Sequence, residues 1–425
     1  MMLKKMFGIS GKLELVFLSA AMIATPVVST QLTYPYIFVV FAGAFFFSVL
    51  CCFLSWKGKI VGSLLGIICT SIMMGLYQSY ISAIIVIVIM LAIYDLLNGK
   101  GYLITFLRCV KCAVISVAGC FLSNWIYEQE IEQRELIVSD RVAAFSTEAI
   151  FADLGKSIYK ARKFFTSYFF EDKILGKDVL FGILFCVLVV GLIGCAVKII
   201  KSNLYKGVLT CFFIALLLVI LPVAMNAIYI LIPYNKVYLV MQYHYVLVFV
   251  LLLFVFQWLD YKYVVFKCVF ALIMTVILYA NVLNINATHL AMRQSYEAIE
   301  TQTRLILDDI YEVDGFVPNQ TKIVFIGFPS EEQAQNMLEI YQFSTGLTPN
   351  KVFWLDANGE TTCREYYLKT YYGIDPGHLT DDDFYTITET PEFNSMPVWP
   401  QRGSVQMING MVAVKLTDSD FPVRP

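Results

Sequence analysis

The sequence predicts an α-helical polytopic membrane protein, with about nine transmembrane helices and a small extracytoplasmic α/β domain after them. Hydrophobic residues make up 58% of the 425 positions and charged residues only 15%, whereas soluble proteins usually carry about 25% charged residues. Long apolar runs recur along residues 1–283, and about 20 apolar residues in a helix cross a bilayer. The composition then becomes that of a soluble domain. We therefore expect a helical bundle over 1–283 and an α/β domain over 284–425.

The transmembrane helices are predicted from the lengths of the apolar runs. They cover residues 13–29, 37–56, 60–76, 79–97, 109–127, 179–200, 207–232, 237–259 and 264–283. A basic start before the first run is also typical of a signal peptide. We expect this run to be retained as a helix, because the second run follows almost at once and no clear small-residue cleavage site lies between them.

The turn between the third and fourth runs reads GLYQSYI over residues 75–81. Tyrosine suits a membrane interface, since its ring is apolar and its hydroxyl can contact water. The turn is therefore either an interfacial anchor or the mouth of a site in which Gln78 and Tyr80 contact a substrate. The residues of the turn are compatible with both interpretations.

Basic residues lie in alternate connections between the predicted helices. They are Lys4, Lys5, Lys12, Lys57, Lys59, Lys100, Arg108, Lys111, Lys198, Lys201, Lys206, Lys262 and Lys267. Short basic connections usually stay in the cytoplasm. The pattern therefore predicts a multi-pass protein of the cell membrane with a cytoplasmic N-terminus. An outer amphipathic loop at 128–178 and the C-terminal domain are predicted to lie outside.

The second half of this outer loop has the pattern of a basic amphipathic helix. Its apolar residues recur at intervals of three and four positions: Ile150, Leu154, Ile158, Ala161, Phe165 and Phe169. Lys156, Lys160 and Lys163 recur on another face, and a helix of this kind lies in the interface plane. The lysines either attract anionic head groups of membrane lipids in general or hold the phosphate of a lipid-linked substrate.

Uncharged polar residues also lie inside the predicted helices, among them Asn226, Gln242 and His244. Polar groups within a membrane usually face a cavity or a partner. His244 is thus either a functional base or ligand, or a hydrogen-bonded packing residue. The sequence contains no metal-ligand cluster, nucleophile elbow or phosphate-cradling glycine loop, so neither a metal nor a cofactor is expected. The net charge of −2 gives no reason to expect a nucleic-acid partner.

The C-terminal domain is predicted to contain a buried strand at 322–327 (KIVFIG), helices at 289–313 and 331–341, and a hairpin near its end. The hairpin strands, 404–408 and 411–416, flank Asn409-Gly410, which is a strong signal for a type I′ turn. We expect this hairpin to close the sheet beside 322–327 and to have a structural role.

Four stretches resemble the bacterial type II O-antigen glucosyltransferases, which are integral membrane enzymes of the GT-C class. They are ATPVVSTQLTYPYIF at 24–38, GLYQSYI at 75–81, VYLVMQYHYVLVFV at 237–250 and MPVWPQRGSVQMINGMVAVKL at 396–416. The resemblance implies transfer of a glucosyl unit from a polyprenyl-phosphate donor to a cell-surface glycan on the outer face of the membrane. The implied partners are therefore the lipid-linked sugar, the glycan acceptor and membrane lipids.

Such a transfer needs a carboxylate that deprotonates the acceptor hydroxyl. Family members usually carry an acidic residue in an early outer loop, but this chain has no Asp or Glu between Glu14 and Asp95. It thus looks as if it lacks the usual N-terminal part. Among the carboxylates of the loop at 128–178, we select Asp140 as the catalytic candidate and Arg141 as a substrate-binding residue, since they precede the amphipathic segment.

Two alternatives stay open. A transporter or flippase of lipid-linked glycans would share the membrane helices, but such proteins often show internal repeats and broken helices. A truncated, non-catalytic member of the glucosyltransferase family would explain the missing early carboxylate.

Overall fold

A computed structural model describes residues 2–32, 38–134, 153–171, 177–202, 204–231, 239–259, 264–327 and 366–418. The chain divides into unit 1, Met1–Ile285, and unit 2, Asn286–Pro425. Among the described residues, six helices are long and apolar enough to cross a membrane. The prediction of a mainly helical protein with membrane-length helices and a small sheet is confirmed. The nine-span topology and the outer location of the C-terminal domain stay predictions.

Unit 1 is helical through its described residues. Its helices are α1 (Met2–Met6), α2 (Lys12–Ile23), α3 (Pro26–Leu32), α4 (Phe38–Lys57), α5 (Ile60–Leu76), α6 (Ile81–Leu97), α7 (Tyr102–Arg134), α8 (Leu154–Thr166), α9 (Lys177–Ser202), α10 (Leu204–Ala224), α11 (Ile228–Leu231), α12 (Leu247–Leu259) and α13 (Val264–Tyr311). Helix α13 continues into unit 2, so one helix contains both the predicted span at 264–283 and most of the predicted helix at 289–313.

Helix α6 is the central helix of unit 1. Of the segment Gln78–Leu97, 83% is buried, against 22–44% of the other five membrane-length segments. Its sequence, ISAIIVIVIMLAIYDLL, is apolar on every side, and a helix of this kind needs neighbours all around it. Helices α4, α7, α10 and α12 supply them. The segment that follows GLYQSYI thus forms the middle of the bundle.

One end of α6 is held by a buried ion cluster around Asp95, whose side chain is 1% exposed. Its carboxylate accepts hydrogen bonds from Trp56 Nε1 at 3.1 Å, Lys100 Nζ at 2.6 Å and Arg108 Nη1 at 2.5 Å. A buried carboxylate requires such partners, since an unpaired charge is costly to remove from water. The cluster joins α4, α6 and α7 at the end of α6 that lies away from the GLYQSYI turn.

Three helix interruptions distinguish unit 1 from the predicted uninterrupted spans. The first apolar run bends at Ala24–Thr25, and Pro26 begins α3. Helix α10 contains Pro222 and ends at Ala224, because proline removes a hydrogen-bond donor and clashes with the preceding turn. The segment before α12 forms two short 3₁₀ turns, Leu239–Met241 and Tyr243–Val246. The interruptions leave backbone and polar side chains free to make tertiary contacts.

Unit 2 contains a three-stranded sheet with helices on both faces. Strands β1 (Ile323–Ile326), β2 (Val405–Ile408) and β3 (Met411–Lys415) lie in the order β1-β3-β2, with β1 parallel and β2 antiparallel to β3. Ile306 and Ile310 of α13 pack on one face of the sheet. Helices α14 (Asp381–Thr388) and α15 (Pro391–Ser395) supply Ile387 and Phe393 to the other face.

The predicted hairpin and its place in the sheet are confirmed. Asn409 and Gly410 have φ values of 49° and 77°, as a type I′ turn requires. The hairpin joins β1 through β3, where Val324 is in register with Ala413. The predicted helix at 331–341 lies outside the described residues.

Candidate functional site

The helix interruptions of unit 1 meet at a group of buried polar side chains. Gln31, at the end of α3, donates from Nε2 to the Tyr80 hydroxyl at 2.7 Å and to the Val240 carbonyl at 3.1 Å. Gln31 is 2% exposed and Tyr80 is fully buried. This amide therefore connects α3, the helix that follows the first break, to the GLYQSYI turn and to the irregular segment before α12.

His244 connects the same region to the second interruption, at the end of α10. Its Nε2 lies 2.5 Å from the carbonyl oxygen of Met225, just beyond the end of α10, and its ring centroid lies 6.5 Å from that of Tyr80. A carbonyl oxygen can only accept, so Nε2 carries the hydrogen. The opposite nitrogen, Nδ1, is buried and has no hydrogen-bonding partner among the described residues. In the neutral ring this atom is a free acceptor.

Several other polar atoms here are buried without a partner among the described residues. They are Ser79 Oγ, Ser82 Oγ, Gln242 Nε2 and Gln242 Oε1. We call the six residues Gln31, Ser79, Tyr80, Ser82, Gln242 and His244 the polar cluster. Each buried polar atom without a partner costs about 1–3 kcal/mol, so a ligand or ordered water normally satisfies such groups.

Aromatic rings fix the backbone around the polar cluster. Phe45 of α4 packs edge-to-face against Tyr243 at 4.7 Å between ring centroids, and against Tyr80 at 6.3 Å. The Tyr243 hydroxyl donates to the Met22 carbonyl at 2.7 Å. Edge-to-face pairs favour one ring orientation over others, so these contacts hold the 3₁₀ turns at defined positions. Gln78, by contrast, is exposed at the start of its turn.

Asn226 connects this region to α8. Its Nδ2 donates to the Ala161 carbonyl at 3.0 Å. Its amide and the Tyr245 hydroxyl also exchange hydrogen bonds, with Nδ2 to Oη at 2.7 Å and Oη to Oδ1 at 2.9 Å. Asn226 is fully buried. Because Tyr245 directly follows His244, α8 is attached to the backbone that carries the polar cluster.

Helix α8 is amphipathic, as the spacing predicts. Its buried face differs slightly from the predicted apolar stripe, which included Ile158. Ser157, Ala161 and Phe165 are buried, whereas Ile158 is 41% exposed. Phe165 packs against Tyr245 with ring centroids 6.1 Å apart.

The basic side of α8 faces away from these contacts. Lys156, Lys160 and Lys163 are all exposed, and Lys156 forms an ion pair with Asp153 at 2.9 Å. The three lysines thus lie on the exposed surface of a helix whose opposite side is fixed to the bundle.

The remaining candidate residues, Asp140 and Arg141, lie outside the described residues. The polar cluster itself contains no carboxylate. Sequence reasoning identified Tyr80, Gln242 and His244 as individual polar residues but missed Gln31. The signal that would have identified Gln31 is its position as an amide immediately after a proline-broken apolar run.

Comparison with known proteins provides one match. A family model described as "Glucosyl transferase GtrII" matches residues 1–255. That range includes α8, all of the polar cluster and most of α12. No curated protein and no solved structure matches the chain.

Proposed function

The chain belongs to the glucosyl transferase GtrII family, and we propose that it moves a glucosyl unit from a polyprenyl-phosphate donor to a cell-surface glycan at the outer face of a bacterial membrane. The observation that carries this proposal is the family match over residues 1–255. The apolar helices support it, because a polyprenyl chain is soluble only in the bilayer. We propose a cytoplasmic N-terminus and an extracytoplasmic unit 2 on the basis of the alternating basic connections.

We assign the donor phosphate to Lys156, Lys160 and Lys163. A helix that lies in the interface holds its cations at the depth of phosphate head groups, and the contacts of Asn226 and Phe165 orient α8 with these lysines exposed. Negative charge grows on the phosphate as it leaves the sugar. Cations already placed beside it therefore stabilise the transition state more than the ground state.

The reaction we propose is a direct displacement at the anomeric carbon of glucose. The acceptor hydroxyl oxygen forms a bond to this carbon, while the bond to the phosphate oxygen breaks and its electron pair leaves with polyprenyl phosphate. A carboxylate takes the proton of the hydroxyl, and Asp140 is our candidate for this base. Arg141 is our candidate for a further phosphate contact, and Gln78, Tyr80 and His244 for contacts to substrate.

The flippase alternative is less well supported by the positions of the helix breaks. Transporters typically break their helices near the middle of the membrane. Here Gly207–Ala224 provides 18 residues before its break, and Tyr243–Leu259, which joins the second 3₁₀ turn to α12, provides 17 after Gln242. Since a full crossing needs about 20 residues, both breaks lie close to one end of a span. This placement favours a site at one membrane face.

The test is a transfer assay with the full chain in nanodiscs. The donor is a polyprenyl-phosphate glucose with a radiolabelled sugar, the acceptor is a lipid-linked surface glycan, and released polyprenyl phosphate is measured in parallel. We expect Lys156→Gln, Lys160→Gln and Lys163→Gln, combined, to weaken donor binding roughly 10- to 100-fold, because charge-assisted hydrogen bonds are lost. The variant should still insert.

The matched control is the triple variant Lys57→Gln, Lys59→Gln and Lys201→Gln. These three lysines are also exposed, and the change in net charge is the same, but they lie in connections predicted to be cytoplasmic. Donor binding should be unchanged in this control. If the α8 variant also bound the donor normally, the lysines would only attract lipid head groups. If the wild type neither released polyprenyl phosphate nor transferred the sugar, the proposed function would be wrong.

A further inference from the structure

We propose that Gln242, with Ser79, Ser82 and His244, forms a subsite that binds the hydroxyl groups of a neutral hexosyl ring. The inference rests on the proposed function and assigns the sugar of the donor to a place within the polar cluster. It separates the recognition of the sugar from the recognition of the phosphate, which we assign to α8.

The first support is the burial and the hydrogen bonding of the Gln242 side chain. Gln242 is fully buried, and neither its amide nitrogen nor its amide oxygen has a hydrogen-bonding partner among the described residues. It lies between Val240, whose carbonyl accepts from Gln31, and His244, whose ring is next to Tyr80. Glutamine is rarely buried in this state without a ligand or water that completes its hydrogen bonds.

The second support is the presence of further unsatisfied atoms at the start of α6 and in the turn before it, since α6 contacts the 3₁₀ turn Tyr243–Val246 that follows Gln242. Ser79 and Ser82 lie on either side of Tyr80 in the sequence, and both hydroxyl oxygens lack a partner among the described residues. His244 Nδ1 adds an acceptor. Together they provide an amide donor, two hydroxyls that can donate or accept, and two further acceptors.

The chemistry of these groups selects the class of ligand. None of the six cluster residues is a carboxylate, lysine or arginine, so the cluster offers nothing to balance a phosphate. A hexose ring is uncharged, and each of its hydroxyls both donates and accepts. Such a ring can therefore satisfy the amide, the serines and the imidazole together. We place the carbon-bound hydrogens of the ring against Tyr80 and Phe45, whose ring centroids lie 6.3 Å apart.

The inference is tested by replacing Gln242 with apolar residues of similar size in the full chain. Gln242→Leu and Gln242→Met remove the two unsatisfied atoms and keep the volume. If the amide serves only the ligand, both variants should be at least as stable as the wild type. Two probes are compared by binding in nanodiscs, a polyprenyl-phosphate glucose and the same polyprenyl phosphate without sugar.

We expect the wild type to bind the glucose-bearing lipid more tightly than the bare lipid phosphate. Both Gln242 variants should lose about 10- to 100-fold in affinity for the glucose-bearing lipid. Their affinity for the bare lipid phosphate should be unchanged. This combination would separate loss of sugar recognition from loss of phosphate binding.

Gln257→Leu is the matched control, because Gln257 lies near the other end of α12 and its amide is fully engaged. Its oxygen accepts from the Ser10 backbone nitrogen at 3.0 Å, and its nitrogen donates to the Gly8 carbonyl at 2.6 Å and to Ser10 Oγ at 3.1 Å. This variant should melt at a lower temperature and still prefer the glucose-bearing lipid.

Three results would overturn the inference. If the Gln242 variants kept the preference of the wild type for the glucose-bearing lipid, the amide would contact water or protein alone. If the wild type bound both lipids equally well, the polar cluster would not be a sugar subsite, although the proposed donor class would stand. If the wild type bound neither lipid, the proposed function would fail and the subsite with it.

Discussion

Asp95→Asn tests whether a buried charge holds the central helix of unit 1 in place. The substitution keeps the size of the side chain and removes its charge. Lys100 Nζ and Arg108 Nη1, which donate at 2.6 and 2.5 Å in the wild type, would then face an amide that has one acceptor and two donors. At least one of the two cations would lose its partner.

The expected loss in the free energy of unfolding follows from the burial of the three charged groups. Breaking a fully buried ion pair by removing one partner costs about 3–5 kcal/mol. Here the Asp95 side chain is 1% exposed, but those of Lys100 and Arg108 are 33% and 26% exposed, so water can partly solvate them. We therefore expect a loss of about 2–4 kcal/mol in the free energy of unfolding of unit 1.

The measurement is denaturation of the full chain in detergent micelles by increasing amounts of sodium dodecyl sulfate, followed by circular dichroism at 222 nm. Glu130→Gln is the matched control on α7, the helix that also carries Arg108. Its partner Arg134 lies 2.7 Å away, but the two side chains are 49% and 68% exposed. An exposed pair contributes about 0–1 kcal/mol. If Asp95→Asn cost no more than Glu130→Gln, burial of the charge would not be what stabilises this end of α6.

Two further predictions concern unit 2. Hydrogen bonds from the Lys322 side chain and the Thr380 backbone lower the pKa of Asp383 to about 2; this stabilisation is complete above the ordinary carboxyl pKa of about 4 and is lost as the pH falls toward 2. Cleavage of unit 2 by pepsin should therefore become faster as the pH falls from about 4 toward 2 in the wild type. The increase should be smaller in Asp383→Asn, which has no carboxylate to protonate. A Cβ on Gly410 would meet no heavy atom within 4 Å, so Gly410→Val should cost about 1–3 kcal/mol through backbone strain alone. Trypsin should then cleave unit 2 of the inserted protein faster than in Gly410→Asn, because asparagine tolerates a positive φ; equal resistance with transfer abolished would place the hairpin at the acceptor site.

The parts of the fold that could be predicted are those decided by neighbouring residues. The run predicted at 60–76 corresponds to α5, and the hairpin follows from Asn409-Gly410, because hydropathy and turn conformation are properties of short segments. The break at Ala24–Thr25 was not predicted, although Pro26 follows it. A proline after a polar residue is compatible with a continued, kinked helix as well as with a new one.

The candidate site was only partly predictable, because its residues are far apart in the chain. The Gln31 amide bonds to groups 49 and 209 positions away, and periodicity within one segment contains no information on such contacts. Tyr80 and His244 could each be selected as polar residues in apolar surroundings. Their proximity depends on where the segments before α6 and α12 cross, and this is decided by packing of the whole bundle.

The two ends of α6 differ in a way that bears on how the polar cluster works. At one end, Asp95 is satisfied by three donors from α4, α7 and the connection between α6 and α7. At the other end, Ser79 and Ser82 lack partners among the described residues. Helix α6 is the most buried membrane-length helix of the described chain, so it is packed along its whole length. A displacement of the end that carries Asp95 would therefore move the serines at the other end as well. Fixing that end therefore keeps the unsatisfied atoms at constant spacing, and a binding site needs its polar groups at their final positions before the ligand arrives. On this reasoning, Asp95→Asn should also weaken binding of the glucose-bearing lipid without weakening binding of the bare lipid phosphate, even though Asp95 touches neither.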